Sequence, residues 1–184
     1  MVNPDVHSRS FLGGGGVVSH KRKPTIIRNI IMKTSDIVKI HGTVILPKQV
    51  RDGACNLASL FYDEQEAEDW SGDEVCTYKQ PDWLRHFATA FHAREHEKSV
   101  GFVQTGKGRD VVVTAGAVKH IDDIHGYTMV LTLHNDGLKF RQGKCSFTPL
   151  AGDWFIFDDR KSHGVLGNAG RSVFVGWTMP IVRA

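Results

Sequence analysis

Cysteine is scarce in this 184-residue sequence: Cys55, Cys76 and Cys145 are an odd number at wide spacings. That excludes a disulfide framework and a cysteine-based zinc pattern, and a reducing cytoplasm is the compartment expected for such thiols. Long apolar runs are missing too. No stretch approaches the roughly 20 residues of a transmembrane helix, and Met1 to Ser10 lacks the apolar segment of a secretory signal. A cytoplasmic location with no membrane partner is therefore expected. Nor is there a large excess of one charge: 23 Lys and Arg against 20 Asp and Glu leave +3. Part of that surplus is local, in His20-Lys21-Arg22-Lys23, which reads as a solvated tail. The run Gly13-Gly14-Gly15-Gly16 is not followed by the Lys and Ser or Thr that a phosphate-cradling loop requires. No internal repeat is evident.

What is present is an ordinary globular composition, 41% hydrophobic and 23% charged, at a length suited to one domain. Residues 1–24 read as a flexible leader, because ordering four consecutive glycines is entropically costly. Residues 25–184 read as a single domain. Ile26 to Met32 and Ile37 to Leu46 are rich in β-branched residues and read as strands. After Pro47, the residues Ala54, Leu57, Ala58 and Phe61 recur at helical spacing, predicting a helix from Lys48 to about Asp69. A second helix is predicted from Pro81 to about His96, with Trp83, Leu84, Phe87, Ala90 and Phe91 as its apolar stripe.

From about residue 99 to 180 the pattern is all strand. Strands are expected at Val100 to Thr105, Asp110 to His120, Tyr127 to His134, Leu138 to Arg141 and Cys145 to Pro149. Three more follow at Asp153 to Asp158, Gly164 to Leu166 and Arg171 to Met179. Turn residues such as Asn135-Asp136-Gly137 and Ala151-Gly152 punctuate them. Short strands at such spacing indicate a mainly β fold, a sandwich or barrel preceded by two helices.

Ten histidines are present, so most are not ligands. Two pairs have His-x-Asp spacing: His120-Ile121-Asp122 and His134-Asn135-Asp136. On a strand, residues i and i+2 share a face, so such a pair can occupy neighbouring positions on one metal. A distal His would complete a facial triad with open cis positions, the donor set of a non-haem iron(II) oxygenase. In a jelly roll, the strand bearing that His returns beside the first after four intervening strands, which takes roughly 40 residues. Asp122 to His163 has that spacing, whereas Asp136 lies in a turn with one strand fewer before His163. The metal-ligating and catalytic residues expected are His120, Asp122 and His163. Arg171 sits in the apolar strand Gly170-Arg171-Ser172-Val173-Phe174-Val175-Gly176-Trp177, where a buried charge needs a partner. A salt bridge to a surface carboxylate is one reading. The other is a bidentate clamp on a ligand carboxylate, with Val173, Val175 and Trp177 as apolar walls on the same face.

The stretch His120 to Met179, about a third of the chain, resembles the double-stranded β-helix of iron(II)/2-oxoglutarate oxygenases, in particular their prolyl-hydroxylase-like branch. The likeness extends beyond the ligands. Tyr127 to Gly137 resembles the strand and turn after His-x-Asp. Phe147 to Asp153 resembles the proline-then-glycine turn before the strand leading to the distal His. Gly170-Arg171, leading to Trp177, resembles the co-substrate strand, and Gly42 to Pro47 more weakly resembles the entry strand. The resemblance implies a double-stranded β-helix (jelly roll) core. It implies iron(II), 2-oxoglutarate and O2 as cofactor and co-substrates, with Arg171 on the far carboxylate of 2-oxoglutarate. It implies hydroxylation, or demethylation by hydroxylation, with release of succinate and CO2. Many members have Arg-x-Ser; here Ser172 directly follows Arg171 and alternation turns it to the other face, so Thr128, Thr132 and His134 are the candidates for a second carboxylate partner.

Substrate specificity would come from the mouth of the barrel: the leader, Asp69 to Gln80, Lys107 to Arg109 and Asp123 to Gly126. An amino acid, a protein side chain, a small metabolite and a nucleic acid all remain open as primary substrate. No run of aromatics interleaved with basic residues suggests base stacking. A cupin-like metal-binding module without oxygenase activity is the alternative, and such a module would not need Arg171 inside its barrel. A zinc site on the second helix, from His92 and His96 at i and i+4, is a third reading, disfavoured because no Glu stands beside the first His.

Overall fold

The computed structural model describes residues 37–67, 74–98, 111–122, 126–167 and 170–180. The leader, the strand expected at Ile26 to Met32, the strand expected at Val100 to Thr105, and Lys107 and Arg109 lie outside them.

Two helices and nine strands make up the described residues. In chain order they are β1 (Lys39–Thr43), α1 (Lys48–Ala67), β2 (Glu74–Tyr78), α2 (Asp82–Lys98), β3 (Val111–His120), β4 (Gly126–Asn135) and β5 (Lys139–Gln142). They continue with β6 (Cys145–Phe147), β7 (Asp153–Asp158), β8 (His163–Leu166) and β9 (Ser172–Pro180). Each helix starts after a proline whose carbonyl accepts the first intrahelical bonds. Val50 and Arg51 donate to Pro47 at 3.0 and 3.1 Å, and Leu84 and Arg85 donate to Pro81 at the same distances. The missing N–H of proline costs nothing at a helix start.

The strands form two antiparallel sheets joined by β3. The larger runs β1-β7-β4-β9-β3, with β2 on the outer side of β3; the smaller runs β3-β8-β5-β6. Val111 to Thr114 pair with β9, whereas Ala117 and His120 pair with β8. Between these halves Gly116 has φ +152°, a conformation that side-chain-bearing residues rarely adopt, and there β3 turns from one sheet into the other. The two sheets face each other as a jelly roll, as the resemblance implied.

Strand β2 was not anticipated from the sequence, where its residues read as part of the barrel mouth. It exists because it pairs with β3, and its own Val75 and Thr77 are exposed. The strand at Ile37 to Leu46 is shorter than expected. Its pairing with β7 shifts register between Ile40 and Gly42, and beyond Thr43 the chain bonds instead to the 151–152 turn, Val44 N–H donating to Gly152 at 2.9 Å.

Both faces of the larger sheet are covered. On one side lie α1 and α2, whose Val50, Ala54, Ala58, Phe61, Leu84, Ala88 and Phe91 are buried. Against them pack Leu131, Leu133, Val173, Val175 and Trp177. Trp177 is 2% exposed, stacked on the His92 ring at 5.2 Å and 5.6 Å from that of Phe91. Burying such side chains stabilises the fold by roughly 1.5–3 kcal/mol each. On the other side is a cavity of about 370 Å3 between the sheets. Among the described residues no helix is long and apolar enough to cross a membrane.

The 151–152 turn ties β1, β4 and β7 together. Gly152 N–H donates to Thr132 at 2.8 Å, and a Cβ on Gly152, at φ +94°, would collide with the Val44 carbonyl. Gly152→Ala is expected to cost about 2 kcal/mol or more, from left-handed strain and that collision. Urea unfolding measures it, and an unchanged midpoint would show that the turn does not constrain the sheet.

Candidate metal centre

His120 ends β3 and His163 begins β8, and the two are register partners across that antiparallel pair. Their rings lie 4.6 Å apart, centroid to centroid. Asp122, two residues past His120, turns its carboxylate between them: His120 Nε2 is 3.3 Å from Oδ1 and His163 Nε2 is 3.7 Å from Oδ2. One ligand atom from each of the three falls within 4.8 Å of the others, a suitable cluster for one metal ion. Among the described residues this is the one such group.

The surroundings prepare both imidazoles as ligands. His120 Nδ1 is 2.8 Å from the Val118 carbonyl and His163 Nδ1 is 3.0 Å from that of Lys161. A carbonyl accepts only from N–H, so each ring carries its proton on Nδ1 and presents the Nε2 lone pair towards Asp122. Burial holds His163 below the ordinary histidine pKa, and the nearby His120 acts the same way. The Lys161 carbonyl and the Asp122 carboxylate oppose this without reversing it. His163 is therefore neutral at neutral pH, which is the ligating form.

Two buried residues that sequence reasoning did not single out fix this geometry. Gln142, 1% exposed, donates its amide to the Asp158 carbonyl at 2.8 Å and to that of Lys161 at 3.0 Å, and accepts from Asp158 N–H at 3.0 Å. The Lys161 carbonyl is thus shared between Gln142 and His163, so the glutamine sets the loop that aims the imidazole. Asp159 accepts from the Thr128 hydroxyl at 2.7 Å, while its backbone carbonyl accepts from Asp122 N–H at 3.3 Å. The only sequence signal for either residue was a polar side chain beside an apolar strand. In the same loop Asp158 is held below the usual carboxylate range. Burial alone would raise it, but the Arg160 guanidinium, at 2.7 and 2.9 Å, and Lys161 outweigh burial.

The triad opens into the cavity between the sheets. Its walls are chiefly apolar, including Val112, Val130, Phe155, Phe157 and Phe174, and Thr114, Thr128, Thr132 and Ser172 also line it. Thr128 and Thr132 line this cavity; His134 and Arg171 do not. The pairing of β4 with β9 shifts register between Thr132 and His134, so alternation breaks and His134 turns to the helix side, 3.6 Å from Cys55 Sγ on α1. Arg171 does share a face with Val173, Val175 and Trp177, but that face lies beneath the helices. Its guanidinium sits 5.2 Å over the Phe61 ring and donates from Nη1 to the Gly170 carbonyl at 2.9 Å. Ser172, on the other face, lines the cavity in its place. Among the described lining residues there is no Lys or Arg. His92 is a core residue stacked on Trp177, and the side chain of His96 lies outside the described residues.

No family model and no curated protein matches this chain. Solved structures do. A prolyl-4-hydroxylase from Pseudomonas putida is 17% identical, with a TM-score of 0.47 over 78% of this chain and 91% of that one. A prolyl hydroxylase from Trichoplax adhaerens, solved with a hypoxia inducible factor peptide, is 15% identical, with a TM-score of 0.48 over 73% and 80%. A cupin superfamily protein from Desulfitobacterium hafniense is 13% identical, with a TM-score of 0.33 over 43% and 73%. The chain is similar to these structures at the level of the barrel.

Calorimetry with Mn(II) as an air-stable probe is expected to show one divalent ion per chain. His163→Ala should weaken binding at least about 100-fold, and unchanged binding would remove His163 from the ligand set. Gln142→Ala should weaken it about tenfold, the usual size for the loss of a group that orients a ligand. Wild-type affinity in Gln142→Ala would mean the loop holds its shape without the amide.

Proposed function

We propose that this protein is an iron(II)-dependent oxygenase that takes 2-oxoglutarate as co-substrate, with iron on His120, Asp122 and His163. The observation that carries the reading is the convergence of two Nε2 atoms and one carboxylate at the mouth of a mostly apolar cavity. Two imidazoles and a carboxylate suit iron(II), and a three-residue set would leave room for a co-substrate on the ion. Bound there, iron with 2-oxoglutarate would supply oxidation of a substrate C–H bond, coupled to loss of CO2 and formation of succinate.

The residues of this chain contribute orientation and dryness. Phe157, whose ring lies 4.5 Å from that of His163, limits water beside the triad. The Asp122 carboxylate stays between the two imidazoles because Asp159 holds its backbone N–H. The far carboxylate of the co-substrate does not meet a guanidinium here, since Arg171 stands on the other face. Thr132 on β4 would receive it by hydroxyl donation, and Ser172 on β9 would join once its hydroxyl leaves the His134 carbonyl, to which it donates at 3.4 Å. The position of Arg171 also favours a second reading, a cupin-like barrel that binds metal without oxygenase activity.

An anaerobic titration of the metal-free chain with iron(II) and 2-oxoglutarate separates the two. The oxygenase reading expects a weak visible charge-transfer band that needs both additions and is lost in His163→Ala. Iron binding with no band would leave the metal-binding barrel. The same titration locates the carboxylate. Thr132→Val combined with Ser172→Ala should raise the 2-oxoglutarate needed for half the band by about tenfold, the loss of one or two hydrogen bonds to a charged group. Arg171→Ala should leave it within about twofold, a change too small for a lost charged contact. A large rise for Arg171→Ala instead would restore the guanidinium clamp.

A further inference from the structure

The second His-x-Asp pair is not part of the metal centre. It stands on the opposite face of the larger sheet, beside the only exposed cysteine among the described residues. His134 Nε2 lies 2.8 Å from Asp136 Oδ1, and His134 Nδ1 lies 3.6 Å from Cys55 Sγ on α1. The other Asp136 oxygen accepts the Arg171 backbone N–H at 3.2 Å, so the carboxylate is anchored to the start of β9. Three elements distant in sequence thus bring a thiol, an imidazole and a carboxylate into line.

The order of groups is that of an activated nucleophile. A carboxylate accepts only from N–H, so Asp136 keeps the His134 proton on Nε2 and leaves the Nδ1 lone pair towards the thiol. An imidazole so oriented accepts the thiol proton, and the thiolate, not the thiol, is the reactive form. The His134 side chain is 23% exposed and Cys55 is open to solvent, so the sulfur is accessible while the base is held in place. The register shift after Thr132 makes this arrangement. Strict alternation would have turned His134 into the cavity and left Cys55 without a base.

We propose that Cys55, His134 and Asp136 form a reactive-thiol site that exchanges with small disulfides. His134 Nδ1 takes the Cys55 proton, and Cys55 Sγ attacks one sulfur of the disulfide. A bond between Cys55 and that sulfur forms as the original S–S bond breaks. The second sulfur leaves as a thiolate and takes the proton from the imidazolium. The products are a mixed disulfide on Cys55 and one free thiol, with no other oxidant consumed. This site stands apart from the oxygenase reading and does not depend on it.

The test measures the rate at which oxidised glutathione modifies Cys55 in the full chain, by quenching and peptide mass spectrometry, at pH 7 and pH 9.5. At pH 7 the wild-type rate should exceed that of His134→Gln by about tenfold or more, and that of Asp136→Asn by a smaller factor. At pH 9.5 thiols in general need no base to form thiolate, so the rates should come within about twofold. Mn(II) binding, which does not involve His134, reports that each variant is folded. Should His134→Gln fail that check, Asp136→Asn carries the same comparison. Equal rates at pH 7 would overturn the proposal. So would a deficit that persists undiminished at pH 9.5, because that pattern belongs to altered access rather than to a lost base.

Discussion

The structure depends on one constraint: the central strands of the larger sheet are buried on both faces. In β4 and β9 one face packs beneath α1 and α2, and the other lines the cavity. Side chains alternate strictly along a strand, so a single residue of register decides whether a group reaches the metal centre or the helices. Ser172, Phe174 and Gly176 reach the cavity, whereas Val173, Val175 and Trp177 reach the helices. A one-residue slip would exchange the two sets and place Arg171 on the cavity side. The aromatic packing of Trp177 against Phe91 and His92 opposes that slip.

Within this frame the candidate metal centre is built on rigid parts. The two imidazoles belong to paired strands, and both tautomers are set by backbone carbonyls two residues upstream. The loop between β7 and β8 is braced by the Gln142 amide and by the Arg160 pair with Asp158. An orienting layer of this kind would hold the donor atoms ready before an ion arrives, so less ordering would remain to be done on binding. Thr128 shows how closely the cavity wall and this layer are joined. Its residue lines the cavity, while its hydroxyl holds the Asp159 side chain whose backbone steadies Asp122.

The helix side of the sheet has its own chemistry for the same reason. The irregularity after Thr132 breaks alternation once, and His134 leaves the cavity for α1. There it meets Cys55, 79 positions away in sequence, while Asp136 is anchored by the entry to β9. One local departure from strand geometry therefore puts the second His-x-Asp pair on the helix side of the larger sheet, away from the first.

Much of this was legible in the sequence, and what was not has a single cause. Local patterns specify local structure: the apolar run Asp153 to Asp158 is a strand with those bounds, and Pro47 and Pro81 stand directly before α1 and α2. Turn residues and spacing alone identified His120, Asp122 and His163 as side chains that would meet, because a jelly roll returns its strands at fixed intervals. What sequence pattern does not encode is which face of a doubly buried strand points where. Val173, Val175 and Trp177 are as apolar as a cavity wall would be, so their hydrophobicity carried no sign for Arg171, which lies over Phe61 on the helix side. Strand β2, the brace from Gln142 and the meeting of Cys55 with His134 were equally out of reach, since each exists only through a partner distant in the chain. Periodicity determined the elements and the spacing of the ligands; the packing of two helices against one face of the sheet decided which residues line the cavity.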